Sequence, residues 1–225
     1  MSSTSWLRTV DLCRFYKRGR HEIHALDSIS LGVEKGEFLG VVGSSGSGKS
    51  TLLNLLAGLD TPTSGFVEFN GAVLSSLSRK KLASYRAHSV GMIFQSFNLV
   101  PHYTALQNVE TALLFNGTQP KDRRKLAEEI LEFLGLADRI SHKPSDLSGG
   151  EQQRVAVARA IVKKPEILFA DEPTGNLDFE NSQNIAQLLM RLNSAGLTII
   201  MVTHNLEMAS ECSDRTIRMQ YGKVV

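Results

Sequence analysis

The stretch that constrains this chain most is Gly43-Ser44-Ser45-Gly46-Ser47-Gly48-Lys49-Ser50, because of what flanks it. Before it runs Phe38-Leu39-Gly40-Val41-Val42, apolar and short, as a buried strand is. After it, Thr51-Leu52-Leu53-Asn54-Leu55-Leu56-Ala57 reads as a helix ended by Gly58. A glycine, four residues, then Gly-Lys-Ser, set between a strand and a helix, is the template of a phosphate-binding loop. Glycines let the backbone curl round an anion with its N–H groups turned inward. The helix N-terminus adds partial positive charge. On this reading the cradle runs from Gly43 to Thr51, Lys49 reaches the β- and γ-phosphates of a nucleotide, and the Ser50 hydroxyl sits on Mg²⁺. A Gly/Ser-rich linker is the competing reading, but a linker has no reason to join an apolar strand to an apolar helix.

Composition narrows the classes further. A chain of 225 residues, 42% of them hydrophobic, suits one large α/β domain or a domain with a subdomain. With 25 Lys and Arg against 23 Asp and Glu, no partner is drawn in by bulk charge, and nucleic-acid binding is not expected. Cys13 and Cys212 stand far apart without metal spacing, and the histidines show no paired zinc spacing, so a reducing cytosol is expected. The start, Met1 to Trp6, lacks the regions of a signal peptide, and no apolar run approaches the ~20 residues of a membrane span. Any membrane role is therefore expected to come through a partner chain.

Apolar runs repeatedly end in a polar residue of functional type. Phe38 to Val42 runs into the phosphate loop, Val90 to Phe94 into Gln95, Ile167 to Ala170 into Asp171-Glu172, and Leu197 to Thr203 into His204. Unbroken Val/Ile/Leu/Phe runs suit parallel strands covered on both faces. In open α/β sheets the ligand lies beyond the carboxyl ends of the strands. If such strands are neighbours, their terminal residues converge on the phosphates. Asp171 is then expected to hold Mg²⁺ through water, and Glu172 to orient or deprotonate the attacking water. Gln95 would ligate Mg²⁺ or that water, and His204 would bond the γ-phosphate or the water. A turn amide and an ordinary histidine are the plainer readings of the last two.

Short strands, Leu7 to Val10, Ile23 to Leu26, Ile29 to Leu31 and Phe66 to Phe69 with the turn Asn70-Gly71, suggest an antiparallel layer beside the core. Within it, Phe15-Tyr16 offers either a ring to stack on an adenine or an ordinary strand aromatic. Between Gln95 and about residue 158 the pattern turns helical. Lys121 to Leu134 is amphipathic, with Leu126, Ile130, Leu131 and Leu134 on one face and Gly135 past its end. The apolar loop Asn98 to Thr104 is either a groove for a partner or buried against its own helices. The segment reads as a subdomain of about 95–158, inserted into a core made of 1–94 and 159–225.

Leu147-Ser148-Gly149-Gly150-Glu151-Gln152-Gln153 precedes a helix expected from Glu151 to Val162. A simple cap needs the serine but not two glycines, so this reads as a second anion cradle. Two cradles in one chain suggest two copies sharing nucleotides, the phosphate loop of one facing Ser148-Gly149-Gly150 of the other. Asp178 either caps the helix from Phe179 to Leu192 or reaches across that dimer, and both can hold.

Together these residues resemble the ATP-binding subunit of ABC transporters over nearly the whole chain. Gly43 to Ser50 matches Walker A, Gln95 the Q-loop, Leu147 to Gln153 the signature, Ile167 to Glu172 Walker B, Asn176-Leu177-Asp178 the D-loop and His204 the switch histidine. The resemblance implies a P-loop NTPase core with a mostly parallel sheet, an N-terminal antiparallel β layer and an inserted helical subdomain. It implies an active ATPase that uses ATP and Mg²⁺, contacts adenine through Tyr16, and closes as a head-to-tail homodimer with ATP between Walker A and the signature through Glu151. Gly58 to Gly65, Phe97 to Pro101 and Glu172 to Asp178 look like the lipoprotein-release and macrolide-export branch, with the cell-division ATPase a near relative. That implies a separate permease of few spans and a place on the inner face of the cell membrane. An ABC ATPase that drives a periplasmic enzyme without transport is the alternative. A soluble ABC protein of DNA repair or translation is a more distant one.

Overall fold

The chain builds two sheets of opposite character, and the computed structural model describes residues 6–19 and 21–225. In order it forms β1 (Leu7–Arg18), β2 (His21–Val33), β3 (Phe38–Val42), α1 (Lys49–Leu56), β4 (Ser64–Phe69), β5 (Ala72–Val73), α2 (Arg79–His88) and β6 (Val90–Ile93). There follow α3 (Ala105–Phe115), α4 (Pro120–Phe133), α5 (Gly149–Ile161), β7 (Ile167–Asp171), α6 (Phe179–Ser194), β8 (Thr198–Thr203), α7 (Leu206–Cys212), β9 (Arg215–Gln220) and β10 (Lys223–Val224).

The apolar runs become β3, β8, β7 and β6, neighbours in the order β10-β9-β3-β8-β7-β6 and paired in parallel. Alternate side chains of a strand take opposite faces. Leu168 and Ala170 of β7 join one apolar cluster with Val109, Val155 and Leu189 of the helices. Ile167 and Phe169 join another with Leu52 and Leu56 of α1 and Leu26 and Ile29 of β2. Both faces are covered, which is why these strands read as unbroken apolar runs. A side chain as fully buried as Phe38 or Phe169 contributes about 1.5–3 kcal/mol. The fold is the P-loop α/β architecture that the motifs imply.

The other sheet, ordered β2-β1-β4-β5, is antiparallel. Where the sequence pattern suggests several short strands from Leu7 to Leu31, the structure has two long ones. The apparent breaks are irregularities: Asp11 and Ser28 are left-handed, at φ 44 and 57, and the β1–β2 register shifts between Thr9 and Phe15. A bulge bends a strand without ending it, but it disrupts the alternation that sequence patterning follows. Asn70 and Gly71 make the expected tight turn, both at positive φ.

α4 ends just before Gly135, at φ 70, as its amphipathic pattern predicts. The expected division between 158 and 159 instead falls inside α5, which runs unbroken from Gly149 to Ile161. Val155, Ala158 and Ile161 of that helix share one cluster with Phe38 and Ile93 of the sheet. No helix among the described residues is long and apolar enough to cross a membrane.

Candidate nucleotide site

The loop after β3 is shaped by its glycines. Gly48 precedes α1 at φ 102, where a Cβ would collide with the Ala25 carbonyl oxygen, so only glycine fits. No side chain caps α1, and the N–H groups of its first turn are left for whatever lies in front of it. Lys49 is buried, and its Nζ donates to the carbonyl oxygens of Gly43 and Ser44 at 2.7 and 3.0 Å. Those acceptors are neutral, and the charged oxygen near the ammonium is a carboxylate oxygen of Glu172.

The strand ends converge as expected. The Ser50 hydroxyl donates to Asp171 Oδ1 at 3.0 Å. Burial, aided by the Glu172 charge, pushes the Asp171 carboxyl above its ordinary range, against Ser50 and Lys49. Glu172 Oε2 accepts from Thr203 Oγ1 at 3.1 Å and lies 3.0 Å from His204 Nδ1. In that contact Nδ1 carries the proton. Glu172 Oε1 is 3.9 Å from Lys49 Nζ. A cavity of about 630 Å³ is bounded by Ser45, Gly46, Gly48, Lys49, Ser50, Thr51, Gln95, Glu172 and His204, with Ile23, His24 and Ala25 of β2 on its other side.

Comparison with known proteins agrees with this geometry. The family model for "ABC transporter" matches residues 26–175. The chain belongs to the ABC transporter ATP-binding family. The lipoprotein-releasing system ATP-binding protein LolD of Geobacter metallireducens is 47% identical over 223 residues, 99% of either chain. An uncharacterised ABC transporter ATP-binding protein of Thermotoga maritima is 44% identical over 218 residues, 97% of this chain and 93% of that one. Among solved structures, a dimer of the ATP-binding cassette MJ0796 in a post-hydrolysis state, bound to ADP and Pi, superposes with a TM-score of 0.90 at 40% identity, covering 97% and 96% of the two chains. The protein is thus an ABC ATPase.

Donor chemistry in this cassette suits Mg²⁺. The Ser50 hydroxyl and the Asp171 carboxylate touch, and Gln95 lines the same cavity. Mg²⁺ takes one or two such protein oxygens and completes its octahedron with phosphate and water. A cluster of three or more His, Cys, Asp or Glu is absent among the described residues, and a nucleotide-borne cation needs none.

Other candidate residues stand apart from the cavity. Gly43, Ser44 and Ser47 lie outside its lining, the first two serving as acceptors for Lys49. Tyr16 does not line it either: its hydroxyl donates to Asp60 Oδ2 at 2.7 Å and the Arg14 guanidinium lies 4.5 Å from its ring centroid. Its neighbour Phe15 stacks on His24, a cavity residue, at 4.0 Å. Ser148, Gly149, Gly150, Glu151 and Asp178 are also absent from the lining. Ser148 and Glu151 form a reciprocal cap on α5, and Glu151 also pairs with Arg139 at 2.9 Å. The Ser148 N–H and Arg139 hold the Glu151 carboxyl below its ordinary range. A Cβ on Gly150 would overlap Asn181 of α6, so that glycine has a packing reason that sequence reasoning overlooked. Asp178 caps α6 through Asn181, and those bonds hold its carboxyl below the usual range.

Asn108, fully buried on α3, organises the apolar loop. Its amide accepts from Val100 N–H at 2.7 Å and donates to the carbonyls of Val100, Tyr103 and Thr104. Leu99 packs on the core while Val100 and Tyr103 stay exposed, so the loop is buried against its own helices only in part. Beside it lies a groove of about 270 Å³ with Leu59, Met92 and Phe94 on its walls and Arg86, Arg159 and Lys163 among them. Burial lowers the Lys163 ammonium to about 8.

Proposed function

We propose that this cassette works as a head-to-tail homodimer that closes on Mg-ATP and drives a separate membrane permease of the lipoprotein-release or export kind. The observation that carries this reading is the division of the phosphate-binding parts. Most of the phosphate loop, with Gln95, Glu172 and His204, lines one cavity, and Asp171 is bonded to Ser50 of that lining, while the Ser148 helix start lies off its wall. A second copy related by a two-fold axis would bring its own Ser148-Gly149-Gly150 to that cavity. Near-full-length likeness to LolD and to a dimeric cassette supports the branch and the assembly.

Each residue then has a task. Lys49 turns from the Gly43 and Ser44 carbonyls to the β- and γ-phosphates. Ser50, Asp171 and Gln95 would hold Mg²⁺, which neutralises phosphate charge when bound. Thr203 and His204 occupy Glu172 Oε2, so Oε1 is the oxygen left to accept a proton from the attacking water. His204, mostly exposed at the cavity mouth, also stabilises charge on the leaving γ-phosphate. Tyr16 and Asp178 take up adenine and cross-dimer contacts once nucleotide and partner are present. ATP shifts the equilibrium to the closed dimer because only that state engages it on both sides.

Residues 95–158 pass the motion on, and the groove beside Phe94, with its three cationic side chains, receives an apolar segment of the permease that carries acidic residues. The cassette then resides in the cytoplasm on the inner face of the membrane. Glu172→Gln tests the scheme. Turnover should fall at least ~100-fold while the variant runs as a dimer at saturating Mg-ATP. A monomer under those conditions, or near-normal turnover, overturns the reading.

A further inference from the structure

Gln153 lies in the second turn of α5, fully buried, on the stripe it shares with Ala156, Val157 and Ala160. Its Nε2 donates to the carbonyl oxygen of Pro173, the residue after Glu172. Its Oε1 is buried and has no partner among the described residues. Packing alone does not call for such a group. An apolar side chain of similar length would fill the space without stranding a polar oxygen.

The single bond this amide makes falls where the backbone is strained. Glu172 sits at φ 45, in the left-handed region, although it precedes a proline, which favours an extended conformation before it. Strain of this kind persists only where the surroundings hold it. Glu172 N–H donates to Val202 O at 2.9 Å, and Gly175 N–H donates to Glu172 O at 3.1 Å. Those bonds belong to the neighbouring strand and to the local turn. The Gln153 bond is the one that ties this peptide to α5.

We propose that Gln153 is a positioning residue for ATP hydrolysis: its amide holds the Pro173 carbonyl and so fixes the backbone that aims the Glu172 carboxylate, in step with the helix that starts at Ser148. The inference rests on the role given to Glu172 above. Any movement of α5 is transmitted to the aim of that carboxylate. Since α5 would face the partner's nucleotide, each site in a dimer would register the occupancy of the other through this bond.

Full-length Gln153→Met and Gln153→Glu test it. Met matches the volume and removes the donor. Its kcat should fall roughly 10- to 100-fold with KM for ATP within about two-fold, because aim is lost and binding is not. Glu is isosteric and can donate to Pro173 only when protonated, and burial raises its pKa. The ratio of its kcat to that of the parent protein should therefore climb as pH falls from about 8.5 to about 6, while the Met ratio stays flat. Wild-type kcat in the Met variant overturns the proposal. So does a flat ratio for Glu, a parallel loss of ATP affinity, or absence of a cooperative unfolding transition in both variants. Glu172→Gln run alongside separates the layers: if it stays active, the Glu172 assignment fails, whatever the Gln153 variants do.

Discussion

Two helices of this cassette begin at glycine-rich loops, and they begin in opposite ways. α1 starts behind Gly48 in a left-handed conformation with no side-chain cap, and the nearest cation leans on carbonyls of its own loop. α5 starts behind Ser148 with a full capping box, Ser148 accepting from Glu151 N–H at 3.3 Å and Glu151 accepting from Ser148 N–H at 2.8 Å. A helix start leaves four N–H groups unpaired, and the box satisfies the first and last of them, those of Ser148 and Glu151. The start of α1 therefore calls for an anion, whereas that of α5 is stable without one and keeps the Gly149 and Gly150 N–H groups in reserve. A permanent nucleotide pocket needs the first kind of terminus, and a surface that meets nucleotide only in a closed dimer suits the second.

The largest expected effect breaks the α1 side. Lys49→Ala removes the one buried cation at the loop, and a charge-assisted bond of this kind contributes about 1.5–3 kcal/mol. ATP affinity should drop by roughly 10- to 150-fold in equilibrium binding. Affinity within about two-fold of the parent value would show that the uncapped amides bind phosphate without it.

A smaller effect sharpens the α5 side by separating its glycines. In Gly150→Ala the new methyl meets Asn181 of α6, and overpacking of this sort costs roughly 1–3 kcal/mol. Its melting temperature should fall by several degrees, on the order of 2–4 °C for each kcal/mol. Gly149 has room, with Leu177 Cδ2 the nearest atom at 3.6 Å, and alanine suits a helix better than glycine. Gly149→Ala should keep or slightly raise the melting temperature while weakening ATP-driven dimerisation in sedimentation. Equal thermal loss in both variants would remove the distinction and leave the glycines as packing alone.

What the sequence made legible follows from the same physics. Buried parallel strands such as Ile167–Asp171 carry their burial on both faces and show it as unbroken apolar runs. β9 hides because Arg215, Arg218 and Gln220 are exposed and Met219 is its one buried residue, so no apolar run marks it. α2 hides because Tyr85 is its one buried residue, anchored by a 2.8 Å bond to Leu56 O rather than by an apolar stripe. At the site, the residues that a motif marks, Lys49, Ser50, Gln95, Glu172 and His204, line one cavity. Thr203 and Gln153 sit inside longer runs and stay unmarked, since their roles depend on what they touch. Gln153 did leave a trace. It falls three, four and seven residues before Ala156, Val157 and Ala160, a polar residue on an apolar face. Gly150 has a second reason that the sequence does not show, because its Asn181 contact joins helices distant in sequence.

The subtlest expected effect concerns the carboxylate in front of α1. Burial raises the Asp171 pKa, so the folded chain holds that proton more tightly than the unfolded one. As pH rises from the ordinary carboxylate value to the raised folded value, the unfolded chain loses its proton first and stability is lost; above that window the penalty is constant. An asparagine side chain in its place cannot ionise and carries no such penalty. Without nucleotide, Asp171→Asn should melt roughly 1–4 °C above the parent protein at neutral pH, with the gap closing near pH 3. With Mg-ATP the order should reverse, because the parent carboxylate then has a cation to face and the amide is a poorer ligand. A gap that is absent at neutral pH, or that keeps its sign in Mg-ATP, would mean that Asp171 is held by Ser50 for structure and not kept ready for a metal. The open end of α1 would then be an anion site without its metal partner.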